Sequence, residues 1–126
     1  MFEQDYIMRL IKEMVRTLLK LLFHMDTEAR METLLKEGEE KETLDALLNL
    51  ADRGEINEAE NRLSDLMTEG GMSALETALL FYSYLNDKTD TFLEENDFSR
   101  EEIMAGLRTV VSGYGLEGVA DVFLEE

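Results

Sequence analysis

Cysteine, proline and tryptophan are absent from this 126-residue chain, and histidine occurs once. Without cysteine there is no disulfide framework, no thiolate metal centre and no cysteine nucleophile. Without proline nothing breaks a helix from within, so interruptions fall to Gly, Asn, Asp and Ser. Positive charge is scarce: 12 basic side chains stand against 29 acidic ones, a formal net charge of -17. Such a chain is a poor partner for nucleic acid, whose phosphates require a basic surface. No run of 18 uncharged apolar residues occurs, so no segment is expected to span a membrane. The opening residues, with Glu3 and Asp5, lack the basic start and small-residue cleavage site of a secretory signal. The expected location is cytoplasmic.

Apolar residues make up 44% of the chain, enough for one modest core at this length, and a single domain over 1–126 is expected. The charge is unevenly placed. Residues 1–24 hold four basic and three acidic groups, whereas residues 25–126 hold 8 and 26. A nearly neutral opening segment is thus joined to a strongly acidic body, whose self-repulsion added salt should relieve.

Residues 4–23 predict one long helix. Ile7, Leu10, Ile11, Met14, Val15, Leu18, Leu21 and Leu22 recur at spacings of three and four, with Asp5, Arg9, Lys12, Glu13, Arg16 and Lys20 on the other stripe. Tyr6, Met8, Leu19 and Phe23 widen the apolar arc beyond a single core-facing stripe. A helix of this kind needs contact on more than one side. It can be sandwiched inside the fold, packed on its twin in a homodimer through residues 4–23, or laid on a partner helix or a lipid surface. The acidic body argues against the last, because anionic lipid repels it.

A second helix is expected from Asp26 or Thr27 to Glu37, with Met31, Leu34 and Leu35 inward and Gly38 as its stop. A third covers 40–52 on Leu44, Leu47, Leu48 and Ala51. A fourth opens near Asn57, with Glu60 as capping-box partner, and closes at Gly70-Gly71. The fifth opens at Ser73 with Glu76 at the same spacing, and its phase predicts that it runs on through 86–90 to Phe92 and Leu93. The sixth has Ser99 as cap, Glu102 as return partner, Phe98 and Ile103 as a staple, and Gly113 as stop. A short last helix over 116–124 completes an all-α chain of six or seven helices in antiparallel hairpins.

Two stretches resemble known families. Leu47 to Glu60 is similar to one tetratricopeptide hairpin: Gly54 closes the first helix, and Ala59, five residues on, lets the second approach. The large hydrophobe and Gly of that motif's first helix are missing, since Leu47 and Leu48 stand there. The resemblance implies tetratricopeptide-like hairpins over 40–95, with an irregular helical bundle as the alternative. The opening Met1-Phe2-Glu3-Gln4-Asp5-Tyr6-Ile7-Met8-Arg9-Leu10-Ile11-Lys12-Glu13-Met14-Val15-Arg16 resembles the start of a family of small uncharacterised bacterial proteins, mostly from Firmicutes, grouped as a domain of unknown function. That resemblance implies an all-helical cytoplasmic protein and carries over no catalytic residue.

Little in the sequence points to chemistry. His24, alone and without a Ser or Cys partner, makes no triad and reads as a capping or surface residue. The acidic clusters at 37–45 and 87–102 lack the alternating ligands and central Gly of a calcium loop. Gly113-Tyr114-Gly115-Leu116-Glu117-Gly118 spells G-x-G-x-x-G but follows no strand, so its glycines read as helix terminators. Tyr82 and Tyr84, two apart on one helix, cannot share a face, which leaves one of them expected at the surface; Tyr114 lies in a turn. These three form the candidate interaction surface. The reading is a non-enzymatic interaction or scaffold domain with no cofactor, its partner an unknown protein or basic peptide. The alternative is a small carboxylate-based metal-binding protein or enzyme. A decoy mimicking nucleic acid would need acids spaced like phosphates, and here they are scattered.

Overall fold

The computed structural model describes residues 2–24, 26–27, 31, 41–116 and 118. The helices expected over 26–37 and 116–124 fall almost wholly outside these residues. Six helices are described: α1 (Phe2–Phe23), α2 (Lys41–Asp52), α3 (Ile56–Glu69), α4 (Met72–Asn86), α5 (Asp90–Glu95) and α6 (Arg100–Gly113). The all-α architecture expected from periodicity is therefore observed, as an irregular bundle with largely antiparallel packing.

The bundle is organised around α4, which packs against α1, α2, α3 and α6. Its sequence explains why. Every residue from Ala74 to Tyr82 is buried, and a helix that is apolar nearly all round has no solvent face to present. The surrounding helices are amphipathic and turn one stripe inward. Ile11, Met14, Val15, Leu18 and Leu19 of α1 meet Leu44, Leu47, Ala59, Leu63, Phe81, Leu85, Ile103, Leu107 and Val111 in one contiguous core. Thr77 in α4 is wholly buried, and its hydroxyl has no hydrogen-bond partner among the described residues.

The helix ends differ from expectation in instructive ways. Residues 86–90 break the expected continuous helix into α4 and α5. Thr89, in extended conformation, caps α5 by accepting from the Phe92 N–H at 3.0 Å, a side-chain bond that competes with helix continuation. The α3 helix opens at Ile56, earlier than the expected Asn57 cap, because Ile56 is buried there and Glu60 is engaged elsewhere. Likewise α4 opens after Gly71, without a Ser73–Glu76 box, since Glu76 is buried inside the helix. The α6 start is as expected: Ser99 accepts from the Glu102 N–H at 3.2 Å, and Phe98 and Ile103 are both buried. The α6 helix ends at Gly113, as expected. The left-handed turn comes at Gly115, where Gly115 N–H donates to Ser112 and Leu116 N–H donates to Val111. Asp97 occupies the same left-handed position after α5, with Phe98 N–H donating to Leu93.

Candidate interaction surface

The three tyrosines occupy three separate environments. Tyr82 is 3% exposed and points between α3 and α6, where its hydroxyl donates to the Glu60 carboxylate at 2.7 Å. Burial pushes the Tyr82 phenol well above its ordinary range, and the neighbouring Glu60 charge adds to this. Burial also raises the Glu60 carboxyl, opposed by the bond from Tyr82 and assisted by the charge of Glu102. The α6 backbone can approach because residue 106 is glycine. A Cβ there would lie 2.4 Å from the Tyr82 hydroxyl oxygen. Tyr82 and Tyr84 do not share a face: Tyr82 is buried and Tyr84 is half-buried.

Tyr84 belongs to a compact box at the C-terminal end of α4. Its hydroxyl donates to Asp52 Oδ1 at 2.7 Å, and Lys88 Nζ donates to the same oxygen. The Lys88 ammonium also stands 4.8 Å from the Tyr84 ring centre and 5.1 Å from that of Phe92, a cation between two π faces. The bond from Lys88 holds the Asp52 carboxyl below its usual value, with Tyr84 reinforcing it against desolvation. The bond to Asp52 in turn raises the Tyr84 phenol. Alongside, Asn96 fills the space above Gly54, where a Cβ would lie 2.0 Å from Asn96 Oδ1. Tyr114 sits at the opposite end of α4, its hydroxyl donating to the Gly71 carbonyl at 2.8 Å, and desolvation raises its pKa. The structure therefore does not gather Tyr82, Tyr84 and Tyr114 into one patch.

A buried polar centre escaped the sequence reading. Arg100 is 2% exposed. Its Nε and Nη2 donate to Asp90 Oδ1 at 3.2 and 2.9 Å, its Nη1 to the Asn86 carbonyl and Oδ1 at 2.7 and 3.2 Å, and its Nη2 to the Lys88 carbonyl at 2.8 Å. Asn86 Nδ2 continues the network to the Met8 carbonyl of α1 at 3.0 Å. The one available signal was an arginine immediately after the Ser99 cap, at a helix N-terminus where the dipole disfavours a cation.

The other candidates fall where chemistry is not assembled. His24 is exposed just past α1, in left-handed conformation, with its backbone N–H on the Lys20 carbonyl. Among the described residues no group of three or more His, Cys, Asp or Glu side chains could hold a metal ion. Glu37, Glu39 and Glu40 of the first acidic cluster lie outside those residues. No described helix is long and apolar enough to cross a membrane. No curated protein and no solved structure matches the chain. Residues 1–115 match the model of a family described as a family of unknown function, DUF6483.

Proposed function

The chain belongs to this family of unknown function, and from that premise we propose that it is a non-enzymatic interaction or scaffold domain whose acidic exterior receives a basic protein or peptide. The observation that supports the reading is where the acids stand. Asp65 and Glu69 on α3, Glu94 and Glu95 on α5, and Glu101 and Glu102 on α6 are all exposed. A field of one sign steers oppositely charged partners and rejects others. The α2–α3 hairpin is of tetratricopeptide kind in this reading, supported by Gly54 at a φ of 80° and by the fully buried Ala59 between the two helices. A cytoplasmic location and a Firmicutes origin belong to the same reading.

The experiment is a fluorescence anisotropy titration of the full chain with a labelled, lysine-rich amphipathic peptide. Saturable binding is expected, weakened severalfold by combining Asp65→Lys, Glu69→Lys and Glu94→Lys with the circular dichroism unchanged. Absence of binding at low salt rejects the proposal. The competing carboxylate-metal reading demands heat on calorimetric titration with calcium, magnesium or manganese, and none is expected.

A further inference from the structure

We infer that the outward face of α1 is where two copies of this chain meet, their α1 helices packed antiparallel about a dyad near residues 13 and 14. Three large apolar side chains are exposed among the described residues, and two of them, Tyr6 at 41% and Leu21 at 61%, lie on α1. Tyr6, Leu10, Glu13, Thr17 and Leu21 follow at spacings of four, three, four and four, so they form one stripe. The stripe is about 22 Å long at the helical rise. It is not the stripe that enters the core, which runs through Ile11, Met14, Val15, Leu18 and Leu19.

An antiparallel pairing matches this stripe to itself. With the dyad between 13 and 14, Tyr6 faces Leu21 of the second copy and Leu10 faces Thr17. An open groove lies at each end, one lined by Asp5, Tyr6, Met8 and Arg9, the other by residues that include Arg16, Thr17, Lys20 and Leu21. Each exposed apolar side chain therefore meets the groove beside its counterpart.

Charge selects this face and this occupant. Residues 1–24 carry a slight basic excess, whereas the rest of the chain holds 26 acids against 8 bases. Two copies meeting outside α1 bring together segments of net negative charge. In this register Lys20 of the second copy comes opposite Ile7, two residues from Asp5. Arg9 approaches the second copy's Arg16, but Arg16 is already paired with Glu13 of its own helix. One helix per copy makes a small contact, so the dimer is weak and concentration-dependent.

The chain has no cysteine of its own, so introduced thiols report cleanly. Analytical ultracentrifugation is expected to show mass rising toward the dimer with concentration. Tyr6→Glu with Leu21→Glu, both at exposed positions, should hold the chain monomeric while helicity and thermal midpoint stay unchanged. A short bismaleimide should join Tyr6→Cys copies to Leu21→Cys copies, but should not join Tyr6→Cys copies among themselves. A monomeric mass throughout the concentration range overturns the inference. So does a dimer that survives the double substitution, or cross-linking between Tyr6→Cys copies alone.

Discussion

Gly106 stands inside α6, where glycine costs a helix about 1 kcal/mol relative to alanine. It is tolerated because the Tyr82 hydroxyl occupies the space its side chain would fill. Gly106→Ala gains propensity but collides with a packed aromatic ring, and overpacking of this kind costs about 1–3 kcal/mol. The expected outcome is a lower urea midpoint; a higher one would mean that propensity dominates and the contact is slack. Glu60 carries a testable pH signature. Its folded pKa is raised above the ordinary 4.5, so the folded state binds its proton more tightly than the unfolded chain does. Its contribution to stability is therefore full below 4.5 and lost as pH rises through the raised value. Glu60→Gln keeps an acceptor for Tyr82 and should flatten the fall in urea midpoint from pH 4.5 toward neutrality. An unchanged pH profile would remove burial as the cause. Asp52 works in the opposite sense, stabilising above 3.8 and fading as pH falls. None of these pairings was legible in the sequence. Tyr82 and Glu60 are 22 residues apart, and only the fold brings them together.

At the scale of elements, the apolar spacing was legible and the interruptions were less so. The apolar faces of Leu44 to Ala51 and Ile103 to Val111, and the Ile11-to-Leu19 stripe of α1, turn inward as their periodicity requires, while Tyr6 and Leu21 of the wide α1 arc stay exposed. The Ser99 cap was legible because two local signals agreed: the Ser-x-x-Glu spacing and the flanking Phe98 and Ile103. The expected boxes at Asn57 and Ser73 failed because tertiary burial of Ile56 and Glu76 shifted each helix start. The break between α4 and α5 was hidden because Phe92 and Leu93 continue the apolar phase across it. Beside the local Thr89 cap stands a remote contribution: Arg100, a helix later, engages the Asn86 and Lys88 carbonyls and so holds the turn open. Arg100→Met leaves the buried Asn86 carbonyl and the Lys88 carbonyl without their donor, and the exposed Asp90 without its partner, a loss expected to cost about 1–3 kcal/mol. Arg100→Lys should recover little, because a point charge cannot reproduce a fork spread over five hydrogen bonds. Urea denaturation checks both, and full stability in the lysine variant would show that charge alone holds the turn.

Across the described residues, the interior is largely apolar and most of its polar side chains are paired. That arrangement follows from composition. A chain with 44% apolar residues and 29 acids buries the first and must expose most of the second. Hence the core was readable from periodicity, while the site was not. An acidic surface supports the proposal of a basic partner but carries nothing about its shape. Tyr82 illustrates the limit: an aromatic on a helix reads equally as contact residue or core, and only burial by α3 and α6 decides.

The most direct measurement is the affinity of the full chain for the labelled basic peptide as a function of ionic strength. Raising sodium chloride from about 50 mM to about 300 mM should weaken binding by about tenfold, as screening shortens the reach of the acidic field. Affinity that ignores salt, or equal binding of a glutamate-rich peptide of the same pattern, would contradict a surface that recognises its partner by charge.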